Sequence, residues 1–331
     1  EILIGLVGSE MCIRDRNKYK PNFKGVDAML ISIDHGNKQI KTVHKTFTSG
    51  LCESETRPPF GQDVLSYNGK YYTLSDQRIP YMRDKTADER FFILTLFAIG
   101  FELRRMLPAE NPVRVQLCVG LPPAHYGTLY KKFEEYFLGR GVLNFQLGGE
   151  PFSVLITEAL CFPQAYAAAI PVYAKLQQLP KAVIVDIGGF TADYLQIKYG
   201  QADLSVCDSL ENGVIVLYNR VKSKINADFD MLLEESDIDA ILQDKGQGYD
   251  EAVCRIVREQ ARLFIDDLAG RLRERMIDLR SGKTVFVGGG SILLREQIEA
   301  CGKAGPALFV DELAANTKGY ELLYRASKFG G

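Results

Sequence analysis

Ile31-Ser32-Ile33-Asp34-His35-Gly36-Asn37 and Val183-Ile184-Val185-Asp186-Ile187-Gly188-Gly189 are two versions of one device, an apolar run closed by Asp-x-Gly. Each continues into a second alternating segment, Gln39 to Val43 and Asp193 to Ile197. An apolar run, a tight turn and a return run predict a β-hairpin with the aspartate at the end of its first strand. Glycine in the turn permits positive φ and a close approach of backbone to a ligand. Two such hairpins predict two related half-molecules. A third glycine run, Val285-Phe286-Val287-Gly288-Gly289-Gly290-Ser291, follows another apolar strand and opens a helical pattern. The three together read as a phosphate clamp with a shelf for a nucleoside beside it.

The remaining chain fits an α/β protein of two domains. At 331 residues it is long enough for each domain to bury its own core. A hydrophobic content of 46% and a charged content of 25% are ordinary for a globular protein. Val64 to Tyr67, Asn68-Gly69 and Lys70 to Leu74 predict a hairpin in a small subdomain inserted at about 46–85. Ala87 to Arg105 has helical spacing, Val113 to Val119 reads as a buried strand, and His125 to Leu138 as an amphipathic helix. Val154 to Thr157 is a further strand. A helix is expected from Pro163-Gln164 to about Leu176, kinked at Pro171. Gly213 to Ile225, Glu251 to Ile277 and Asn316 to Tyr324 read as helices, and Thr284 to Val287 as the strand before the glycine run.

Composition also excludes some functions. The net charge of −2 leaves no basic footprint for direct binding to DNA. Seven cysteines without paired spacing are expected as free thiols in a reducing cytoplasm. Three histidines and no Cys-x-x-Cys argue against a structural zinc site. No stretch approaches eighteen unbroken apolar residues, so no membrane-spanning helix is expected. Glu1 to Arg16 resembles a translated sequencing adaptor and is set aside as a non-native segment, with Met29 a candidate native start.

Asp34-His35-Gly36-Asn37-Lys38-Gln39-Ile40-Lys41, Asp186-Ile187-Gly188-Gly189-Phe190-Thr191-Ala192-Asp193 and Gly288-Gly289-Gly290-Ser291 resemble the two phosphate loops and the adenosine motif of the actin/Hsp70/sugar-kinase ATPase superfold. Within it, Gly-Asn-x-x-x-Lys, Ile-Gly-Gly-x-Thr-x-Asp and Asp208-Ser209-Leu210-Glu211-Asn212-Gly213-Val214 are similar to the bacterial actin-like ParM/StbA plasmid-segregation family. The likeness spans about residues 29 to 325, and three motifs in order are far more specific than one. It implies a two-domain actin-like ATPase fold, with ribonuclease H-like halves around a nucleotide cleft. Domain I would comprise 29–165 with 315–331, and domain II 166–314. The implied function is a slow nucleoside-triphosphate hydrolase, taking ATP or GTP with magnesium. It would form dynamic homopolymeric filaments in the cytoplasm, without a membrane, for segregation of plasmid or mobile-element DNA through a DNA-binding adaptor. A small-molecule kinase of the same superfold and a non-hydrolysing nucleotide-binding scaffold are the alternatives.

Each residue then has an expected task. Backbone N–H groups of Gly36, Asn37 and Lys38, and of Gly188, Gly189 and Phe190, converge on phosphates by anion capture. Asp34 and Asp186 hold magnesium largely through its waters, because that ion dehydrates reluctantly. Asp186 also orients the attacking water. By the resemblance, Lys41 contacts phosphate and neutralises charge developing at the β/γ bridge, a task Lys38 could serve instead. Gln164 matches the water-positioning residue of the group, with Glu158 a rival carboxylate. Thr191 bonds a phosphate and Asp193 supports its hairpin. Glu211, Asn212 and Gly213 contact ribose or base, while Gly288, Gly289, Gly290 and Ser291 let the base lie against backbone.

Overall fold

The computed structural model describes residues 28–59, 61, 63–106 and 111–329; the segment Glu1 to Arg16 lies outside them. The chain begins with β1 (Met29–His35), β2 (Gln39–Lys41), β3 (Thr46–Thr48), β4 (Leu51–Ser54), β5 (Leu65–Tyr67) and β6 (Lys70–Leu74). There follow α1 (Glu89–Met106), β7 (Val113–Leu121), α2 (Pro123–Phe137), β8 (Val142–Leu147), β9 (Glu150–Pro163) and α3 (Tyr166–Ala169). Next come α4 (Tyr173–Leu176), β10 (Ala182–Ile187), β11 (Ala192–Lys198), β12 (Gln201–Leu210), α5 (Val214–Phe229), α6 (Glu235–Leu242) and α7 (Glu251–Glu274). The last elements are β13 (Lys283–Val287), α8 (Gly289–Leu293), α9 (Arg295–Ala300), β14 (Ala307–Phe309) and α10 (Ala315–Phe329). The described residues form two compact units, one of those up to 170 together with 316–329 and one of residues 171–315.

The first unit carries a nine-stranded sheet of order β3-β2-β1-β7-β9-β8-β5-β6-β4, the second a five-stranded sheet of order β12-β11-β10-β13-β14. Their cores repeat one plan. β1 pairs antiparallel with β2 and parallel with β7, which pairs parallel with β9. Likewise β10 pairs antiparallel with β11 and parallel with β13, which pairs parallel with β14. Asp34 lies opposite Lys41 in the first hairpin, and Asp186 opposite Asp193 in the second. Strands buried on both faces, such as β10 with every residue buried, explain the unbroken apolar runs.

Helices follow local signals. Glu89 in the first turn of α1 and Arg104 and Arg105 in its last suit the helix dipole. Phe91 through Leu103 is buried without a break, so α1 is a core helix rather than an amphipathic one. Asp250 caps α7 by accepting the Ala252 N–H at 2.7 Å, and Val253, Val257, Ala261, Phe264, Leu268 and Leu272 form its buried stripe.

The structure departs from the sequence reading in four places. β2 ends at Lys41 because Thr42 turns the chain: its N–H reaches the Lys45 carbonyl at 2.8 Å, while its hydroxyl accepts the His44 and Lys45 N–H groups and donates to Glu102. β9 runs for 14 residues, since its first half pairs with β8 and its second with β7. The helix expected over 163–176 is broken into α3, a 3₁₀ turn at Ile170–Val172 containing Pro171, and α4. The segment 46–85 contributes β3 to β6 to the main sheet, with Asn68 (φ 49°) and Gly69 (φ 78°) forming the tight turn between β5 and β6.

His35 ends β1 inside the first core, 5.6 Å from the Phe133 ring and 5.5 Å from Phe137, with Nε2 paired to Thr95 Oγ1 at 2.8 Å. Burial first, then the nearby Lys85 charge, pushes its pKa from 6.5 to about 3, against a smaller opposing effect of the Ile33 carbonyl. The unfolded chain therefore takes the proton first as pH falls. The stability carried by neutral His35 is complete above pH 6.5 and drains away toward pH 3. By pH 5 the loss should be about 2 kcal/mol. Urea unfolding at pH 7.5 and pH 5 should show wild type losing that much more than His35→Phe; equal losses would refute the assignment.

Candidate functional site

In the first unit, Asp34 stands at the carboxyl end of β1, 4% exposed. A buried carboxylate needs donors. Gln164 Nε2 donates to its Oδ1 at 2.6 Å, and Asn316 Nδ2 donates to Oδ2 at 3.4 Å. Gln164 lies at the end of β9 rather than at a helix start, its N–H bonded to the Leu121 carbonyl at 2.8 Å. Lys41 is half-buried and, directly opposite Asp34 across an antiparallel pair, shares its face of the sheet. Gly36, Asn37 and Lys38 form the turn. The Lys38 carbonyl accepts from the Ser49 N–H at 3.1 Å, and Asn37 Oδ1 is a buried acceptor without a protein donor. Glu158 is committed elsewhere, accepting from the Tyr324 hydroxyl at 2.8 Å and Lys328 Nζ at 2.7 Å on α10.

In the second unit, Asp186 is 7% exposed near the end of β10. The loop after it is braced by the start of α5. Val214 N–H reaches the Gly188 carbonyl at 3.1 Å, Ile215 N–H that of Gly189 at 3.0 Å, and Gly213 N–H that of Phe190 at 3.0 Å. The loop carbonyls are thus turned toward α5. Thr191 Oγ1 donates to Asp193 Oδ2 at 3.3 Å, and Asp193 Oδ1 accepts from the Ser209 hydroxyl, so this trio holds the hairpin together. Glu211 is exposed, whereas Asn212 is buried with its Nδ2 donor unpartnered in the protein. Ser291 is buried and donates to the Val287 carbonyl at 2.6 Å, bracing the turn from β13 into α8.

Glycine serves these turns differently from the sequence expectation. Neither Gly36 nor Gly188 has positive φ. A Cβ on Gly36 would instead stand 2.6 Å from the Gln39 carbonyl, so the tightness of the hairpin excludes a side chain. Gly288 does need its freedom, with φ at 87° and a would-be Cβ only 2.1 Å from Asp186 Oδ1.

Among the described residues, no three His, Cys, Asp or Glu side chains gather as direct metal ligands. Asp34 and Asp186 each offer one carboxylate at a strand end of their own unit, and a single carboxylate of this kind suits an ion such as magnesium that keeps most of its waters. The unpaired polar atoms of Asn37 and Asn212 suit a polar ligand at each loop. Sequence reasoning missed Asn316 and Ser209. Ser209 lies opposite Asp193 only through strand register, and Asn316 meets Asp34 from the far end of the chain.

Residues 32–166 match the family described as actin-like proteins, N-terminal domain, and residues 184–300 match archaeal actin homologue MreB-like, C-terminal. The archaeal actin homologue Ta0583 in complex with ADP aligns with TM-score 0.68 and 20% identity, over 90% of this chain and 99% of its own. Bacillus thuringiensis ParM with AMPPNP aligns at 0.66 and 12%, over 92% and 100%. The AlfA filament bound to AMPPNP aligns at 0.61 and 17%, over 92% and 98%. No curated protein matches the sequence.

The Gly288 contact can be tested directly. Gly288→Ala should destabilise the protein by about 2 kcal/mol or more, combining backbone strain with the collision at Asp186. Gly302, also at positive φ but with nothing near its would-be Cβ, supplies the strain-only control, and Gly302→Ala should cost about 1 kcal/mol. Equal urea-unfolding losses for the two would show that the approach to Asp186 is not what requires glycine.

Proposed function

From the premise that residues 32–166 and 184–300 match actin-like family models, we propose that the chain is a ParM-like bacterial actin that binds and slowly hydrolyses a nucleoside triphosphate and assembles into dynamic filaments. The observation that carries this reading is the repeated strand plan, with a buried aspartate and a glycine turn closing the first strand of each sheet core. The ADP and AMPPNP held by similar structures, and the filament formed by AlfA, support the nucleotide and the polymer. ATP is the expected substrate, with GTP an accepted relative.

In this mechanism the backbone amides of Gly36, Asn37, Lys38, Gly189 and Phe190 bind phosphate oxygens, and their oriented dipoles need no reorganisation during reaction. That of Gly188, expected to do the same, is spent on the Thr191 carbonyl at 2.8 Å and closes the hairpin turn instead. Lys41 neutralises charge that develops as the terminal bond breaks. Asp34 and Asp186 would hold magnesium through its waters, and the ion would supply neutralisation of phosphate charge there. Gln164 and Asp186 orient the attacking water. A neutral amide positions water without being a strong base, which suits slow turnover. Asn212 and Glu211 with Gly213 receive the ribose or base, along the backbone at Gly288, Gly289, Gly290 and Ser291.

Nucleotide state then drives assembly: triphosphate favours the polymerising conformation and hydrolysis withdraws that bias. The cargo is plasmid or mobile-element DNA in the cytoplasm. With a net charge of −2, the chain reaches DNA through a basic adaptor protein rather than directly. Among the described residues, no helix is long and apolar enough to cross a membrane.

Asp186→Ala should lower phosphate release by about 100-fold or more; hydrolysis at the wild-type rate would show the chemistry is misassigned. Light scattering should rise transiently with ATP and persist with AMPPNP. A flat trace with every nucleotide counts against filaments.

A further inference from the structure

One side chain in the first unit touches both the carboxylate at the end of β1 and the turn that presents Gln164. Asn316 accepts the Ala165 N–H on Oδ1 at 3.1 Å and donates from Nδ2 to Asp34 Oδ2 at 3.4 Å. Its orientation follows from chemistry, because the N–H group can only donate and an ionised carboxylate only accept. Ala165 sits at φ 59° and ψ −55°, and the Tyr166 N–H reaches the Gln164 carbonyl at 2.5 Å. Residues 164–166 therefore form a γ-turn of the rare, strained hand. A non-glycine residue persists in such a conformation when its surroundings over-determine it. Here Ala165 is fully buried, and α10 is pressed against α3. A Cβ on Gly319 would stand 1.9 Å from the Ala167 carbonyl, which brings Asn316 within reach of the turn.

We propose that Asn316 is a positioning residue for hydrolysis, pinning the strained turn at Ala165 so that Gln164 stays aimed at the Asp34 end of β1. The inference rests on the roles given above to Gln164 and Asp34. Asn316 acts through Gln164, so removing it should reproduce the loss of Gln164 rather than add to it.

Steady-state ATP hydrolysis of Asn316→Ala, Gln164→Ala and the double variant tests this. Each single variant should lower kcat about tenfold with KM changed by less than about threefold, and the double variant should fall no further than Gln164→Ala. Losses that multiply in the double variant, or an unchanged kcat for Asn316→Ala, overturn the proposal. On nucleotide-free protein, amide exchange at Ala165 followed by NMR should quicken about tenfold or more in Asn316→Ala. Asn316→Asp keeps the acceptor that pins Ala165 and loses the donor that ties the pinned turn to Asp34, so Ala165 should stay protected while kcat still falls. This variant also decides the matter if Asn316→Ala does not fold: a wild-type kcat in it overturns the proposal. Should wild-type protein hydrolyse no nucleotide, the hydrolase reading fails instead. Exchange at Ala165 then decides alone, and unchanged protection in Asn316→Ala, or loss of protection in Asn316→Asp where Asn316→Ala does not fold, overturns the role of Asn316.

Discussion

A carboxylate buried at the end of a central strand has to be supplied with donors or neutralised, and the architecture of the first unit is arranged around that requirement at Asp34. Gln164 and Asn316 meet it from β9 and α10, elements more than a hundred residues away in sequence. Neither donor is charged, so neither forms an ion pair with the carboxylate, and its oxygens keep acceptor capacity for a hydrated cation. Had a lysine or arginine filled either place, the ion pair would have spent that capacity. The second unit answers differently. At Asp186 the neighbouring strand turns away through a glycine without a side chain, and the room so left is taken by the carboxylate itself.

The repeated order of five strands explains why both aspartates occupy comparable places. A central strand with a hairpin on one side and parallel partners on the other leaves its carboxyl end beside the carboxyl ends of those partners. Open α/β sheets bind ligands at such strand ends, where loops are free to vary while the sheet stays rigid. In the first unit this gathers Asp34, the end of β7 at Leu121 and Gln164 after β9. In the second it gathers Asp186 and Gly288, with α5 closing over the carbonyls of the intervening turn. The apolar runs that make these strands central also make them rigid platforms for polar termini.

Ala165, at φ 59° and ψ −55°, is a strained point of this frame, and it directly follows Gln164, the residue proposed to orient water. A strained turn held by a side chain from another element is a way to fix an amide more firmly than a relaxed loop would. The broken helix after it follows from the same geometry, since the chain leaves β9 through the γ-turn and Pro171 withholds an N–H from any longer helix.

The Asp-x-Gly hairpins, the strand before Gly288 and the long helices α1 and α7 were legible in the residues alone, because apolar periodicity and turn chemistry act over a few neighbours. So was the pairing of Asn68 with Gly69 in a tight turn. The end of β2 was not, since Thr42 turns the chain with help from Glu102 on α1. Nor were the hydroxyl of Ser209 on Asp193, the amide of Asn316 on Asp34, or the γ-turn beneath Gln164. Those depend on strand register and helix docking, which place side chains distant in sequence within hydrogen-bonding distance. Local sequence determined which residues end strands and turn the chain; tertiary packing alone decided which of them would share a proton or a carboxylate, because that choice is made by long-range geometry rather than by spacing.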